Sequence, residues 1–348
     1  QKKKMTILYL YAELMGYQIP VLKEYVSKYD ADVHVVHWDH KKLTPYIPPI
    51  IENVTYYNRS NLNSGMTKLV EKINPNIIFV SGWMDKKYLK IAAKYKNKNI
   101  PVVVGSDTQW ESTFRKNIAS LIFKYTYKKC FTHIWVSGPF QYEYAKKLGF
   151  TNNEIIFNLY TADVDAFSEN VKKTSDKKYS KNFLFLGRLE EVKGISCLLQ
   201  AWESIVDKKG WTLTFMGNGS LKKEIEKSTD VVLKNFMQPN DLINEIQKYG
   251  FLILPSLKEP WALVIHEAMS AGLPVLASDV CGAGAVFIVP NYTGYTFKSN
   301  NVEDLKSKIK NILNMTEVKL NRMSDNALER SKVITPEIVA ASFMSVLK

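Results

Sequence analysis

The sequence predicts an α/β protein with two doubly wound, Rossmann-like domains facing an interdomain cleft. Three observations carry this. The chain has 348 residues, more than one hydrophobic core comfortably organises. Its short apolar runs do not alternate with polar residues, so they read as strands buried on both faces, the mark of parallel sheets. Helix-length stretches separate the runs, and the whole series occurs twice.

In the first domain, residues 1–165, the predicted strands are MTILYLY (5–11), DVHVVHW (32–38), NIIFVSG (76–82), IPVVVGS (100–106) and HIWVSG (133–138). QIPVLKEYVSKYD and MDKKYLKIAAKYKNK are two of the intervening helices. The opening QKKKMTILYLYAELMGY imitates a secretion signal, but its apolar run stops at Glu13 with no small-residue cleavage site. It is read as a first buried strand. The polar stretch SENVKKTSDKKYSK (168–181) reads as a linker. The second domain, 166–334, has strands at 182–188, 211–217, 230–236, 251–256 and 273–279, with helices at GISCLLQAWESIVDKK, SLKKEIEKS, NDLINEIQKYG and ALVIHEAMSAG. The segment TPEIVAASFMSVLK (335–348) has proline at a helix start and is expected to pack back on the first domain.

Composition is that of a soluble globular protein, with 46% hydrophobic and 23% charged residues. The net charge of +13 is lopsided: residues 1–150 hold 23 basic and 11 acidic residues, the remainder 24 and 23. The first half therefore either faces an anionic partner or uses its charge for solubility. Cys130, Cys197 and Cys281 lie far apart with no CxxC pair, which predicts a reducing, cytoplasmic setting without a disulfide framework or zinc knuckle. No apolar segment reaches the roughly 20 residues of a membrane helix, so a membrane contact would be peripheral, on the inner face. FRKNIASLIFKYTYKKCF (114–131) interleaves apolar residues with lysines. It reads either as a helix lying on an anionic membrane or as an ordinary amphipathic helix covering the sheet.

The chemistry concentrates at strand ends in the second half. LFLGRLEEVKG brings Gly187, Arg188 and, five residues on, Lys193: a close backbone approach and two cations suited to a diphosphate, or two solvated basic residues. TFMGNGS gives Gly217, Asn218 and Gly219 at a tight turn. In KEPWALVIHEAMSAGLPVLASD the helix is expected to open near Pro260, leaving the amides of Trp261, Ala262, Leu263 and Val264 for an anion. Glu259 precedes that helix end and Glu267 lies on it. Carboxylates do not neutralise a diphosphate but accept hydrogen bonds from paired sugar hydroxyls. The alternative for Glu267 is a helix carboxylate paired with a nearby base.

Over residues 158–330 these motifs, in order, resemble the retaining, nucleotide-sugar-dependent glycosyltransferases of family 4, which have the GT-B fold. The resemblance rests on GRLEEVKG, MGNGSLKKEIE, the E-x7-E pair Glu259 and Glu267, EAMSAGLPVLASD and GYTF. It implies transfer of a sugar from a nucleotide-diphosphate-sugar donor to a glycan or lipid-linked acceptor, in cell-surface polysaccharide or lipopolysaccharide synthesis. It implies that Arg188 and Lys193 grip the phosphates and that Leu263 and Val264 cap them. Glu267 would hold the ribose, Glu259 would contact hydroxyls of the moving sugar, and the base would lie near Lys234–Met237, a stretch that includes Phe236, largely against backbone. Three departures stand out. Ala262 replaces the usual glycine, Gly16 is the only glycine of the N-terminal loop, and Asp107 or Ser106 stands where many members carry a histidine.

No cofactor and no metal are expected on this reading. The triplets Asp30-Ala31-Asp32 and Asp163-Val164-Asp165 are D-x-D in form but poorly placed, and His34, His37, His40 and His266 read as structural. A dinucleotide oxidoreductase is excluded because GNGSLK and GAGAVF lack the third glycine of its fingerprint. A nucleic-acid partner would explain the basic half but not the motif-rich neutral one. The remaining alternatives are a nucleotide-sugar epimerase of the same fold and a catalytically inactive carbohydrate-binding relative.

Overall fold

Two sheets organise the chain. In the computed structural model, which describes residues 4–39, 47–62, 64–169, 171 and 178–347, contacts divide it into unit 1, Gln1–Thr161 with Pro336–Lys348, and unit 2, Ala162–Thr335.

Unit 1 runs β1 (Met5–Tyr11), α1 (Ile19–Tyr29), β2 (Ala31–His37), β3 (Val54–Asn58), α2 (Met66–Ile73), β4 (Ile77–Val80), α3 (Lys86–Lys96), β5 (Val102–Ser106), α4 (Phe114–Thr126), β6 (His133–Val136), α5 (Pro139–Lys147) and β7 (Ile155–Ile156). Its sheet has the order β3-β2-β1-β4-β5-β6-β7. Every pairing is parallel, with Ile7 of β1 facing Val33 on one side and Ile77 on the other. The continuous apolar runs fall on the central strands, where β4 and β5 are buried throughout. Sequence reasoning missed β3 and β7. Both are edge strands: VTYYN of β3 is half-exposed and β7 has only two residues, so neither shows a full apolar run.

Unit 2 runs α6 (Val164–Ser168), β8 (Asn182–Leu186), α7 (Ile195–Glu203), β9 (Thr212–Met216), α8 (Lys222–Ile225), β10 (Val232–Lys234), α9 (Pro239–Ile246), β11 (Phe251–Leu254), α10 (Leu263–Ser270), β12 (Val275–Ser278), α11 (Gly284–Phe287), β13 (Gly294–Phe297), α12 (Val302–Leu313) and α13 (Glu317–Ser331). Its parallel sheet has the order β10-β9-β8-β11-β12-β13. The unexpected β13 is again an edge strand, formed by the GYTF motif. The stretch SLKKEIEKS supplies only the single turn α8.

The last helix, α14 (Pro336–Met344), belongs to unit 1. There Phe343 stacks on Trp135 at 5.2 Å and meets Tyr9, Tyr25 and Phe79 in one aromatic cluster. The division between units falls at Thr161/Ala162, ahead of the expected 165/166. Residues 170 and 172–177 of the expected linker lie outside the described residues. The flanks of that stretch pack within unit 2: Phe167 and Tyr179 are buried, and Tyr179 donates its amide to Glu317 at 2.8 Å and its hydroxyl to the Gly250 carbonyl.

Candidate functional site

The carboxyl ends of β8, β9 and β10 are tied together by backbone. Gly187 donates to the Met216 carbonyl at 3.1 Å, Leu189 to Asn218 at 2.9 Å and Gly217 to Lys234 at 3.0 Å. A Cβ on Gly217 would sit 1.8 Å from the Gly187 oxygen, at a φ of +156°, so only glycine lets these two loops meet. A Cβ on Gly219 would sit 2.3 Å from the Leu189 oxygen. The result is a thin backbone ledge from which Arg188 and Asn218 project into solvent. Arg188 makes no hydrogen bond or ion pair among the described residues. Phe236, two residues beyond β10, is exposed.

Lys193 has a partner within the protein. Gly194, at φ +69°, packs so tightly on β11's exit that a Cβ would lie 1.9 Å from the Pro255 oxygen. That contact brings the Lys193 ammonium onto Glu259 Oε2 in a mostly buried ion pair. Ser256, fully buried, donates its hydroxyl to the same carboxylate oxygen at 3.3 Å. The Ser256 carbonyl is held in turn by the hydroxyls of Ser278 (2.6 Å) and Ser299 (3.1 Å). The Glu259 backbone bridges to Cys281 and accepts from Gly282 at 3.2 Å. Gly194 and Ser256 are thus positioning residues that sequence reasoning passed over. The glycine closing EEVKG was a visible signal, whereas nothing in the sequence marks Ser256.

The helix carrying the second glutamate begins three residues later than expected. Pro260 lies outside α10, whose N-cap is Ala262 in the left-handed region (φ 73°, ψ 70°). The glycine usual at this position therefore serves the backbone, and alanine here carries strain of about 1–2 kcal/mol. Ile265 already bonds to the Ala262 carbonyl at 3.0 Å. The first-turn amides of the helix are those of Leu263 and Val264, and neither meets an acceptor among the described residues; Trp261 and Ala262 precede the first turn. Glu267 follows one turn on. It is half-buried, has no ion-pair partner among the described residues, and burial alone pushes its carboxyl up to about 7. The reading of Glu267 as a helix carboxylate paired with a base is thereby removed.

His266, next to it, is fully buried. Its Nδ1 accepts from the Ala162 amide at 3.0 Å, so the proton is on Nε2, which donates to the Ser331 carbonyl at 2.8 Å. The ring stacks on Phe287 at 4.3 Å. Burial lowers its pKa to about 4, so it is neutral and structural.

Unit 1 gathers a second polar set at its own strand ends. Gly16 opens a short 3-10 turn that carries Tyr17 to Tyr160, edge to face at 5.5 Å. The Tyr160 hydroxyl lies 3.5 Å from Asp107 Oδ2, and Gln141 donates to the Asp107 carbonyl at 3.0 Å. Glu13 Oε1 is buried there without a hydrogen-bond partner among the described residues. Burial, with the charges of Asp107 and Glu13, raises the Tyr17 hydroxyl.

The D-x-D triplets are otherwise employed. Asp32 accepts from Lys4 at 2.9 Å, Asp30 ends α1 in a left-handed turn, and Asp163 caps α6 through the Ala166 amide at 3.2 Å. His34 bonds Tyr57 at 3.0 Å, and His40 lies outside the described residues. Among the described residues no cluster of three His, Cys, Asp or Glu side chains is arranged to hold a metal.

Residues 166–330, nearly all of unit 2, match the family described as glycosyl transferases group 1. The chain is a GT-B glycosyltransferase. It is 28% identical over 337 residues to an uncharacterized glycosyltransferase of Methanocaldococcus jannaschii, covering 87% of this chain and 86% of that one. It is 24% identical to the UDP-Gal:alpha-D-GlcNAc-diphosphoundecaprenol alpha-1,3-galactosyltransferase of Escherichia coli (96% and 92% covered). It is 25% identical to the capsular polysaccharide biosynthesis glycosyltransferase CapM of Staphylococcus aureus (85% of each). Among solved structures it is similar in fold to a glycosyltransferase from Rickettsia africae (TM-score 0.74, 13% identity, 99% of each chain) and to Anabaena HepE in complex with UDP (TM-score 0.73, 15% identity, 99% of each).

Within this glycosyltransferase, unit 2 offers three kinds of group at adjoining strand ends: free helix amides, cations and carboxylates. Among the described residues Lys193 and Glu259 are engaged with each other, and Ser256 also donates to Glu259. No helix among its described residues is long and apolar enough to cross a membrane.

Proposed function

We propose that the enzyme transfers a sugar, with retention of anomeric configuration and without a metal, from a nucleotide-diphosphate-sugar to a glycan or lipid-linked acceptor in cell-surface polysaccharide synthesis. The observation that supports this best is the opening of α10: two unpartnered amides, Leu263 and Val264, start the helix that follows β11, and the Lys193–Glu259 pair lies against the same strand's exit. A diphosphate satisfies the amides, draws Lys193 away from Glu259, and frees that carboxylate for hydroxyls of the sugar. Arg188, exposed on the neighbouring strand end, adds a second cation. Glu267 takes the ribose hydroxyls and Phe236 offers a face to the base. As the glycosidic bond breaks, charge collects on the leaving diphosphate, where amides and cations stabilise it; such fixed groups are commonly the largest catalytic contribution. The acceptor hydroxyl attacks from the face the diphosphate leaves, and its proton passes to a diphosphate oxygen.

The polar set of unit 1, with Asp107, Glu13, Tyr17 and Tyr160, suits acceptor hydroxyls and sugar faces. The names of the Escherichia coli and Staphylococcus aureus relatives point to lipid-linked and capsular acceptors, and that of the Anabaena structure to a uridine donor. A thermal-shift screen of nucleotide sugars, followed by transfer assays with the donor that stabilises most, tests the reading. One donor should raise Tm by several degrees and give product whose anomeric configuration, read by NMR, matches the donor's, with EDTA without effect. Equal response to all donors, or an inverted product, refutes it.

A further inference from the structure

We propose that the outward face of α4 in unit 1 is a docking surface for an anionic lipid bilayer. Other helices of this unit turn their apolar residues inward: α1 buries Ile19, Val21, Leu22 and Tyr25, and α3 buries Tyr88, Leu89, Ile91, Ala92 and Tyr95. In α4 only Ser120 and Phe123 are buried. Phe114, Ile118, Leu121, Ile122 and Tyr125 are 80, 44, 56, 52 and 71% exposed. Their spacing places them on one helical stripe. The helix therefore covers the core through Ser120 and Phe123 and leaves this stripe outward. A contiguous exposed stripe of this kind marks an interaction site.

The surrounding charge selects the occupant. Residues 112–142 contain no Asp or Glu but carry Arg115, Lys116, Lys124, Lys128 and Lys129. Lys116 and Lys128 are paired with Glu111 and Glu154. Arg115, Lys124 and Lys129 have no acidic partner among the described residues. Lys124 and Lys147 border a shallow groove of about 330 Å³ against Phe114, Ile118 and Leu121. An anionic bilayer satisfies both features, taking the side chains into the acyl boundary and the ammonium groups at the phosphates. A nucleic acid would leave the apolar stripe wet. A second copy of this chain would bury the stripe but bring the same cations face to face. The surface stands on its own residues; only its use, presenting a lipid-linked acceptor, rests on the function proposed above.

The test is cosedimentation of the full chain with phosphatidylglycerol-rich and pure phosphatidylcholine vesicles at low and high salt. Two variants, Leu121→Ser/Ile122→Ser and Lys124→Glu/Lys147→Glu, address the two features. The wild type should bind the anionic vesicles and release with salt. Each variant should lose about tenfold in vesicle affinity while keeping its thermal shift with nucleoside diphosphate and its transfer to a water-soluble acceptor. Loss of those two readouts would concern the donor site, not this surface. Failure of the wild type to bind anionic vesicles at low salt overturns the proposal, as does wild-type binding by both variants. So does a dimer in sedimentation velocity that Leu121→Ser/Ile122→Ser dissociates, which would assign the face to a second copy.

Discussion

Lys193 closes on Glu259, so the cation suited to a phosphate and the carboxylate suited to a sugar neutralise each other across the exit of β11. Any anion that engages Lys193 must compete with Glu259. Replacing Glu259 with Gln removes both that competition and the carboxylate's repulsion of the diphosphate. Nucleoside diphosphate should then bind several-fold tighter to Glu259→Gln by calorimetry. Transfer should fall by a factor of about 100 or more, because the hydroxyl contact to the reacting sugar is weakened. Tighter binding together with slower chemistry is the signature; weaker binding of the diphosphate would refute the competition.

Glu267 predicts a pH-dependent donor affinity. Its carboxyl titrates near 7 in the folded enzyme, and two ribose hydroxyls donating to it, as in the proposed donor site, would favour the ionised form. Affinity for nucleoside diphosphate should rise with pH up to about 7, by at most tenfold per unit, and then level. Glu267→Gln should bind more weakly and lose this dependence. A wild-type profile that is flat between about pH 5.5 and about pH 8 would contradict the assignment.

The same group bears on stability in the opposite sense to its neighbour. Glu267 has a folded pKa raised from 4.5 to about 7. The folded state therefore binds more protons, and stability falls as pH rises through that window. His266 has a folded pKa lowered from 6.5 to about 4. Its contribution is complete above 6.5 and is lost as pH falls toward 4, by up to about 3 kcal/mol. Over the shared range the two slopes oppose. Glu267→Gln should thus raise Tm at pH 8 more than at pH 5, and lose stability more steeply on acidification than the wild type. Parallel Tm–pH curves for the two proteins would remove this account.

Ala262 offers a stability test independent of charge. Glycine at this left-handed position relieves strain of about 1–2 kcal/mol and gives back about 0.4–1 kcal/mol through the looser unfolded chain. Ala262→Gly should therefore be more stable by roughly 0.5–1 kcal/mol in urea unfolding, without loss of transfer. A destabilised variant would show that the methyl's packing, 7% exposed, outweighs the strain.

Much of the fold was legible because central parallel strands must be apolar on both faces, as β1, β4, β5, β8, β9, β11 and β12 are. The edge strands escaped for separate reasons: β3 is half-exposed, β7 has two residues, and β13, though mostly buried, is only the four residues GYTF, with no apolar run. Within the site, the glycines at 217 and 219 were legible because close backbone contact admits nothing else, whereas Gly187 answers to its positive φ. The Lys193–Glu259 pair was not, since it depends on Gly194 packing against Pro255, 61 positions along the chain. The start of α10 was misplaced by three residues because Pro260 is a good first-turn residue in sequence terms. The positive φ of Ala262 has no signature in a residue that usually avoids it. The stripe on α4 was visible as a pattern, but whether it faced the sheet or solvent was a question only packing answers.

His266 has one further consequence. Its two nitrogens hold Ala162, the first residue of unit 2, and Ser331, close to the last, Thr335. The two ends of unit 2 are thus fastened at a single aromatic ring inside that unit. A segment closed in this way is a portable cassette: residues 162–335 carry their own fastening and can be exchanged as a block, leaving the sequence of the other unit intact.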